Sequence, residues 1–506
     1  VVLTAVAGAG GTISNSSFAP LLDDIDVTFT VTATGSLSGL QATTTFDTRA
    51  NRTWTGAIST DWNLAANWTG GVPGAGDDAS IPAGAPRYPV ISSTVSIKNV
   101  TLLAGTGAQP TLTVVSGGTF LMNGDLEVRA GGTVNVSGVL HMAQTIGATP
   151  NHKITLLSGA TLTQAGGFVN TDDYENKVGA TYNQSGGTFR MYHDFRNPAG
   201  ASFNATGGTV EFPVNGGGNA FNAPGLNQFY NVVVNAPLFE FDNNVAAQIF
   251  VRGDWTVNGG VSMHRKATTV TFNGTGAQTI GGTVSTTFRN LTVDKLPNPT
   301  AVPVTLARAA TVRDGDVKVL SGTLDLGIFR LDRFAAGGEI GVANGAFLKI
   351  GGTNSFPLLY LIHTFQPTST VDYYGTNQTV TAELYGHLNL STSGTKTMPA
   401  TPLTTQGNFT MSGTASATAA AALTVNGNFT LGPGTTFGAA SFSHSVKGNF
   451  SNSGTFTGGT STFTLNGTGT QTIGGSNSTT FNNLTIANAG GVALSGVNTT
   501  VNGLLT

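Results

Sequence analysis

The chain lacks cysteine altogether and has few charges. It holds 22 Lys and Arg with 25 Asp and Glu in 506 residues, a charged fraction of 9%, where globular proteins carry about 25%. The first absence excludes disulfide frameworks, thiolate zinc sites and cysteine nucleophiles. The second, at a net charge of -3, removes the cationic footprint that holds nucleic acid. No run approaches 18 apolar residues, so no segment reads as a membrane-spanning helix. No stretch beyond about ten residues keeps a helical period. What is plentiful is small or apolar: 70 Gly, 29 Phe and 39% hydrophobic residues overall. That is material for a core rather than for a solvated disordered tail. Abundant Gly, Thr, Ser and Asn suit many turns and short strands.

Repeats organise this material. Asn273-Gly274-Thr275-Gly276-Ala277-Gln278-Thr279-Ile280-Gly281-Gly282 recurs 193 residues later as Asn466 to Gly475, and a degraded copy runs from Gly375 to Val380. Phe288 to Val293 likewise recurs as Phe481 to Ile486. A shorter motif, Gly-Asn/Asp-apolar, appears at Gly124, Gly253, Gly315, Gly407, Gly427 and Gly448, the last three 20 and 21 residues apart. Gly-Thr-apolar triplets form a third family, as at Gly118-Thr119-Phe120 and Gly187-Thr188-Phe189. Around the motifs apolar residues alternate, as in Thr133-Val134-Asn135-Val136, the mark of strands with one buried face.

Short strands recurring at a spacing of about 20 residues predict an all-β parallel β-helix (β-solenoid), in which each coil covers the apolar side of the last. A β-propeller is the weaker alternative, since its blades repeat at about 40–50 residues. Glycines are expected at corners, where positive φ is cheap. Residues 91–506 are read as a right-handed β-helix of about 20 irregular coils, roughly 100 Å long. Residues 50–90, with three of the four Trp, are read as an amino-terminal solenoid cap, because an open apolar end and edge need cover. Residues 1–49 are read as two or three antiparallel strands of a partial β-sandwich segment, too short for a whole module. Val501 to Thr506 restarts a repeat, and the chain opens on Val, so the reading is of an excerpt from a longer polypeptide.

Trp54, Trp62 and Trp68, followed by Gly71-Val72-Pro73 and Asp77-Asp78-Ala79-Ser80-Ile81-Pro82, resemble a segment of large secreted, repeat-rich surface proteins of Bacteroidota and relatives. The Gly-Thr-Gly-x-Gln-Thr-Ile and Phe-x-Asn-Leu-Thr repeats are similar to the solenoid repeats of those proteins. More loosely, they resemble filamentous-haemagglutinin-like β-helix repeats. The resemblance implies export to the bacterial cell surface, and makes residues 1–49 a partial immunoglobulin-like β-sandwich segment preceding the cap.

Candidate sites are sparse. Asp173, Glu175, His193, Asp194 and Arg196 lie about one coil apart and offer paired carboxylates with cations, the groups of a polysaccharide lyase or hydrolase. A solvated surface loop is the plainer reading. Trp54, Trp62 and Trp68 offer rings for glycan stacking, or else an apolar plug. Asp23, Asp24 and Asp26, and separately Asp77 and Asp78, are oxygen donors suited to calcium, though neither run matches the twelve-residue calcium loop. No other cofactor is expected. Stacked Thr and Asn rows suggest a flat face like that of ice-binding β-helices, but no strict Thr-x-Thr column repeats at a fixed period. The balance favours a non-enzymatic, secreted or cell-surface structural or adhesive rod. Its expected partners are further copies of itself in filaments, or an extracellular polysaccharide. A carbohydrate-active β-helix and a glycan-binding module are the alternatives.

Overall fold

The computed structural model describes residues 5–6, 28–36, 38–47, 51–143, 152–214, 221–237, 239–240, 246–262, 268–295 and 302–506. The chain is a nearly all-β parallel β-solenoid. A single 3-10 turn, Ala65–Asn67, is the one helical element among the described residues. The chain divides into two compact units, Val1–Tyr182 and Asn183–Thr506. The ladder that recurs once per coil has four strands in the first unit, and its counterpart has fifteen in the second, about 19 turns together.

In the first unit three ladders form three sides. One runs Asn51–Thr53, Asp78–Ile81, Asn99–Leu102, Leu126–Val128, Lys153–Leu156 and Asp173–Asn176. A second runs Val90–Ile91, Thr111–Val114, Thr133–Val136 and Thr161–Gln164. The third runs Thr94–Ile97, Thr119–Met122, Val139–Met142 and Phe168–Thr171. Alternation sends every second side chain inward, and parallel register places like on like. Leu112, Val134 and Leu162 form one buried column, and Val95, Phe120, Leu140 and Val169 another. The first rung is Asn51–Thr53, so the block read as a cap supplies rungs of its own. Thr28–Thr34 and Gln41–Asp47 form a separate antiparallel hairpin. It shows two strands, and no second sheet of a sandwich is present among the described residues.

The second unit repeats the plan with several of its ladders interrupted, one break standing out. A ladder that includes Ser202–Ala205 ends at Tyr360–Phe365, and new ladders begin at Gln378–Thr379 and Leu384–Tyr385. Beyond the break the coils are regular. Phe409, Phe429 and Phe450 stack face to face at 5.2 and 4.9 Å. The outer side of the ladder Thr395–Thr397, Ser416–Thr418, Thr436–Gly438 and Thr455–Thr457 carries two columns. One is Thr395, Ser416, Thr436 and Thr455, and the other Thr397, Thr418, Gly438 and Thr457. Successive coils differ slightly in length, which hides these Thr columns from a search at fixed period, and register restores them.

The structure gives the Gly-Asn motif a different cause from the expected one. The Asn or Asp oxygen accepts the backbone N–H one coil on. Asn408 Oδ1 takes Asn428 N at 2.9 Å, Asn428 Oδ1 takes Asn449 N at 2.8 Å, and Asn449 Oδ1 takes Thr472 N at 2.8 Å. The first unit has the same bond from Asp125 N to Asn99 Oδ1, at 2.7 Å. These stacked amides bring the previous coil so close that a Cβ at Gly124, Gly427 or Gly448 would strike it. None of the three has positive φ. Close approach, not a left-handed corner, selects glycine here. At Gly117, Gly131 and Gly208 the φ values of 87°, 78° and 81° do fit the corner reading.

Candidate functional site

The three Trp expected to stack on glycans are buried, with Trp54 at 1% exposure, Trp62 at 0% and Trp68 at 5%. Trp68 meets Trp54 and Trp62 edge-on at 4.9 and 4.6 Å, and Trp62 meets Phe120 at 5.1 Å. Trp54 Nε1 donates to Arg87 O and Trp68 Nε1 to Trp62 O. This corrects the stacking surface: no open ring face remains for a sugar. Beside them buried Asn67 holds the loop before it, accepting from Ile58 N and Ser59 N and donating to Asp61 O.

Asp77 and Asp78 anchor protein groups. Asp77 Oδ2 accepts from Gly74 N at 2.9 Å and lies 3.6 Å from Arg52 Nε, while Asp78 Oδ1 accepts from Asn99 Nδ2 at 2.7 Å. Asp23, Asp24 and Asp26 lie outside the described residues. Of the expected acid–base residues, two belong to the first unit and three to the second. Asp173 and Glu175 take the outward positions of Asp173–Asn176 in the first, where Glu175 pairs with Lys177 at 2.5 Å. His193, Asp194 and Arg196 belong to the second, where Arg196 pairs with Asp194 at 2.7 Å. In each carboxylate–cation pair the partners are next-but-one neighbours in the chain, which is how exposed neighbours screen one another.

The repeated Gln has a role the sequence reading missed. Gln278 Oε1 accepts from Gly274 N, and its Nε2 donates to Val251 O and Gly253 O. Gln471 does the same with Gly467 N, Val446 O and Gly448 O, and Gln378 with Gly375 N, Ile350 O and Asn354 O. The next coil adds one donor to each. Lys295 Nζ reaches Gln278 Oε1 at 2.9 Å, Lys396 Nζ reaches Gln378 Oε1 at 2.8 Å, and Asn488 Nδ2 reaches Gln471 Oε1 at 2.8 Å. Burial lowers both ammonium groups from the ordinary lysine value to about 8. Asn in the third copy shows that the position needs a hydrogen-bond donor, not a charge. These are internal staples that close the Gly-Thr-Gly turn onto its neighbours.

A chemically richer constellation lies on the outer face of the second unit. Register aligns Asp325, Lys349, Asp372 and Asn389 in one outward column, and Thr323, Phe347, Thr370 and His387 in the next. The first column, with Thr323, Phe347 and Pro303, lines a depression of about 340 Å³. Tyr374 Oη donates to Asp325 Oδ1 at 2.6 Å, Ser391 Oγ donates to Asp372 Oδ1 at 2.7 Å, and Lys349 Nζ sits 4.5 Å from the centre of the Tyr374 ring. Burial raises the Asp372 carboxyl above its ordinary value, against lowering by Ser391 and by Lys349 and Lys396. Burial, then the bond to Asp325, raises the Tyr374 phenol. The column members stand at unequal intervals along the chain, so spacing alone does not bring them together. One signal was available: in Phe347-Leu348-Lys349-Ile350 the aromatic falls on the polar phase of the alternation.

Residues 53–157 match a family profile described as Domain of unknown function (DUF8693). The match takes in the Trp cluster and the coils after it, about a fifth of the chain. No curated protein and no solved structure matches.

Proposed function

We propose that the chain is a non-enzymatic structural or adhesive rod, secreted to a bacterial cell surface. The observation that carries this reading is the run of uncharged outward columns in register beyond the ladder break. Thr404, Thr424, Ser445, Thr464 and Thr485 form one, and the Thr395 and Thr397 columns form two more. Such faces are stiff, repetitive and poor in groups that move protons. The Asn and Gln staples serve the same end, since they consume polar side chains in holding coil to coil. The resemblance to Bacteroidota surface proteins supports the location. No helix among the described residues is long and apolar enough to cross a membrane. The hairpin of Thr28–Thr34 and Gln41–Asp47 supplies an open strand edge, with Val31 and Leu40 exposed, and strand addition to a second copy is the proposed route to filaments. Negative-stain electron microscopy with solution scattering tests the reading. Elongated particles, single or end-joined, are the expected result; compact isometric monomers overturn it.

A further inference from the structure

The second unit places an aromatic ring on the outward phase of a strand. Phe347 is half-exposed on the outer face, between Thr323 and Thr370 in register. No ring among the described residues packs on it, whereas Phe409, Phe429 and Phe450 are buried and stacked on one another. Folding gains less from a ring left partly in water than from one fully buried. Around this ring the neighbouring column brings two carboxylates, an ammonium and an amide within one or two rungs. Rungs are about 4.8 Å apart and alternate residues on a strand about 6.6 Å apart. A flat apolar platform edged at these distances by acceptors and donors suits a pyranose, whose C–H face is apolar and whose rim is hydroxylated. We propose that the depression formed by Asp325, Phe347, Lys349, Asp372 and Asn389 is a binding subsite for a neutral polysaccharide.

Phe347 is the stacking platform. Asp325 and Asp372 accept from vicinal hydroxyls, and Asn389 both donates and accepts. Lys349, held over the Tyr374 ring, donates to a ring or hydroxyl oxygen. Two carboxylates against one ammonium leave the site without surplus positive charge, so uronates and sulfated chains are disfavoured. Burial raises the Asp372 carboxyl above its ordinary value. The volume of about 340 Å³ sits at the small end of ligand sites and suits one or two sugar residues of a longer chain. This inference is independent of the rod reading: a rod without the subsite is still a rod, and a compact protein can carry the subsite.

The test is affinity electrophoresis of the whole chain through gels containing xyloglucan, galactomannan, mixed-linkage β-glucan or polygalacturonate. Retardation by at least one neutral polymer is expected, weakened at least about tenfold in affinity by Phe347→Ala and also weakened by Asp372→Asn. Thr424→Ala, on the hydroxyl column, keeps full retardation. Circular dichroism and a cooperative melt well above the assay temperature show that Phe347→Ala is folded, which separates lost binding from lost folding. The inference is overturned by no retardation in any neutral gel, by retardation equal in parent and Phe347→Ala, or by retardation in polygalacturonate alone.

Discussion

Two stretches of the second unit, residues 323–391 and residues 403–465, use the same ladder to opposite effect. In the later stretch the coils are nearly equal in length, the inward column is Phe409, Phe429 and Phe450, and the outward column of the same ladder is Thr410, Thr430 and Ser451. In the earlier stretch the coil length changes, one ladder stops at Tyr360–Phe365, and the outward column becomes Asp325, Lys349, Asp372 and Asn389. Near-equal coils make a surface that is the same everywhere, which suits a scaffold. Unequal coils make one place unlike the rest, and a ligand needs such a place. The largest expected effect tests whether aromatic residues divide this way. Phe429→Ala removes the middle of a buried stack and should cost about 3–5 kcal/mol. It should be seen as lost hydrogen-exchange protection centred on residues 403–465, because a solenoid coil depends on its neighbours. Phe347→Ala, at a ring already partly in water, should cost clearly less. Equal losses in both variants would erase the distinction.

The staples come next in size. Gln378→Leu strips acceptors and donors from a buried turn: Gly375 N, Ile350 O and Asn354 O lose a partner, and Lys396 Nζ loses one of three. Each orphaned buried group costs about 1–3 kcal/mol, with partial relief where water enters. A net loss of about 2–4 kcal/mol is expected, concentrated at the break near residues 350–400. Urea denaturation followed by hydrogen exchange measures both size and place. A loss spread evenly over the unit would show that the staple is not a local fastener.

The solenoid itself was legible from residues, because period-two alternation and motifs that recur once per coil have few other solutions. The glycines were legible as special but not for the right reason. Sequence cannot show that Asn408 Oδ1 of the preceding coil occupies the space beside Gly427. Gln278 and Lys295 read as polar loop residues, since a staple joins groups on successive coils whose encounter depends on where the chain turns. The Phe347 site stayed hidden for the same reason, with column members at unequal intervals. Trp54, Trp62 and Trp68 were read both as platform and as plug, and only burial decides between those. Local pattern determines the strand, while the lengths of the loops decide which strands' outer residues become neighbours.

A glycine pair sharpens the point at smaller scale. Gly427→Ala sets a methyl against Gly407 backbone and Asn408 Oδ1. About 1–3 kcal/mol should be lost, since a coil-to-coil spacing fixed by backbone ladders has little give. Gly469→Ala, with open space around its Cβ and no positive φ, should change stability by less than about 0.5 kcal/mol. Thermal melts of the two variants side by side decide the matter, and a neutral Gly427→Ala would show that the neighbouring coil gives way and that close approach does not select this glycine.

The smallest effect concerns Lys396, and it compares one staple with another. Burial lowers its ammonium from 10.5 to about 8. Between pH 8 and 10.5 the unfolded chain therefore binds more protons at this residue than the folded chain. Stability contributed here rises with pH through that window, and below pH 8 the full cost of burying the charge is present. Lys295 behaves alike. Buried Tyr373 and Tyr385, raised by burial, act oppositely above pH 10, where the unfolded chain releases their protons first. The clean interval is therefore about pH 7.5 to 9.5. Lys396→Asn copies the third staple, where Asn488 donates to Gln471 and to Gly469 O. If the position needs only a donor, the variant folds and its unfolding midpoint rises less with pH across that interval than the parent's. Adding Lys295→Asn should flatten the rise further. A variant whose midpoint climbs as steeply as the parent's would mean that the buried ammonium carries no penalty, and that Lys and Asn are not equivalent solutions to one turn.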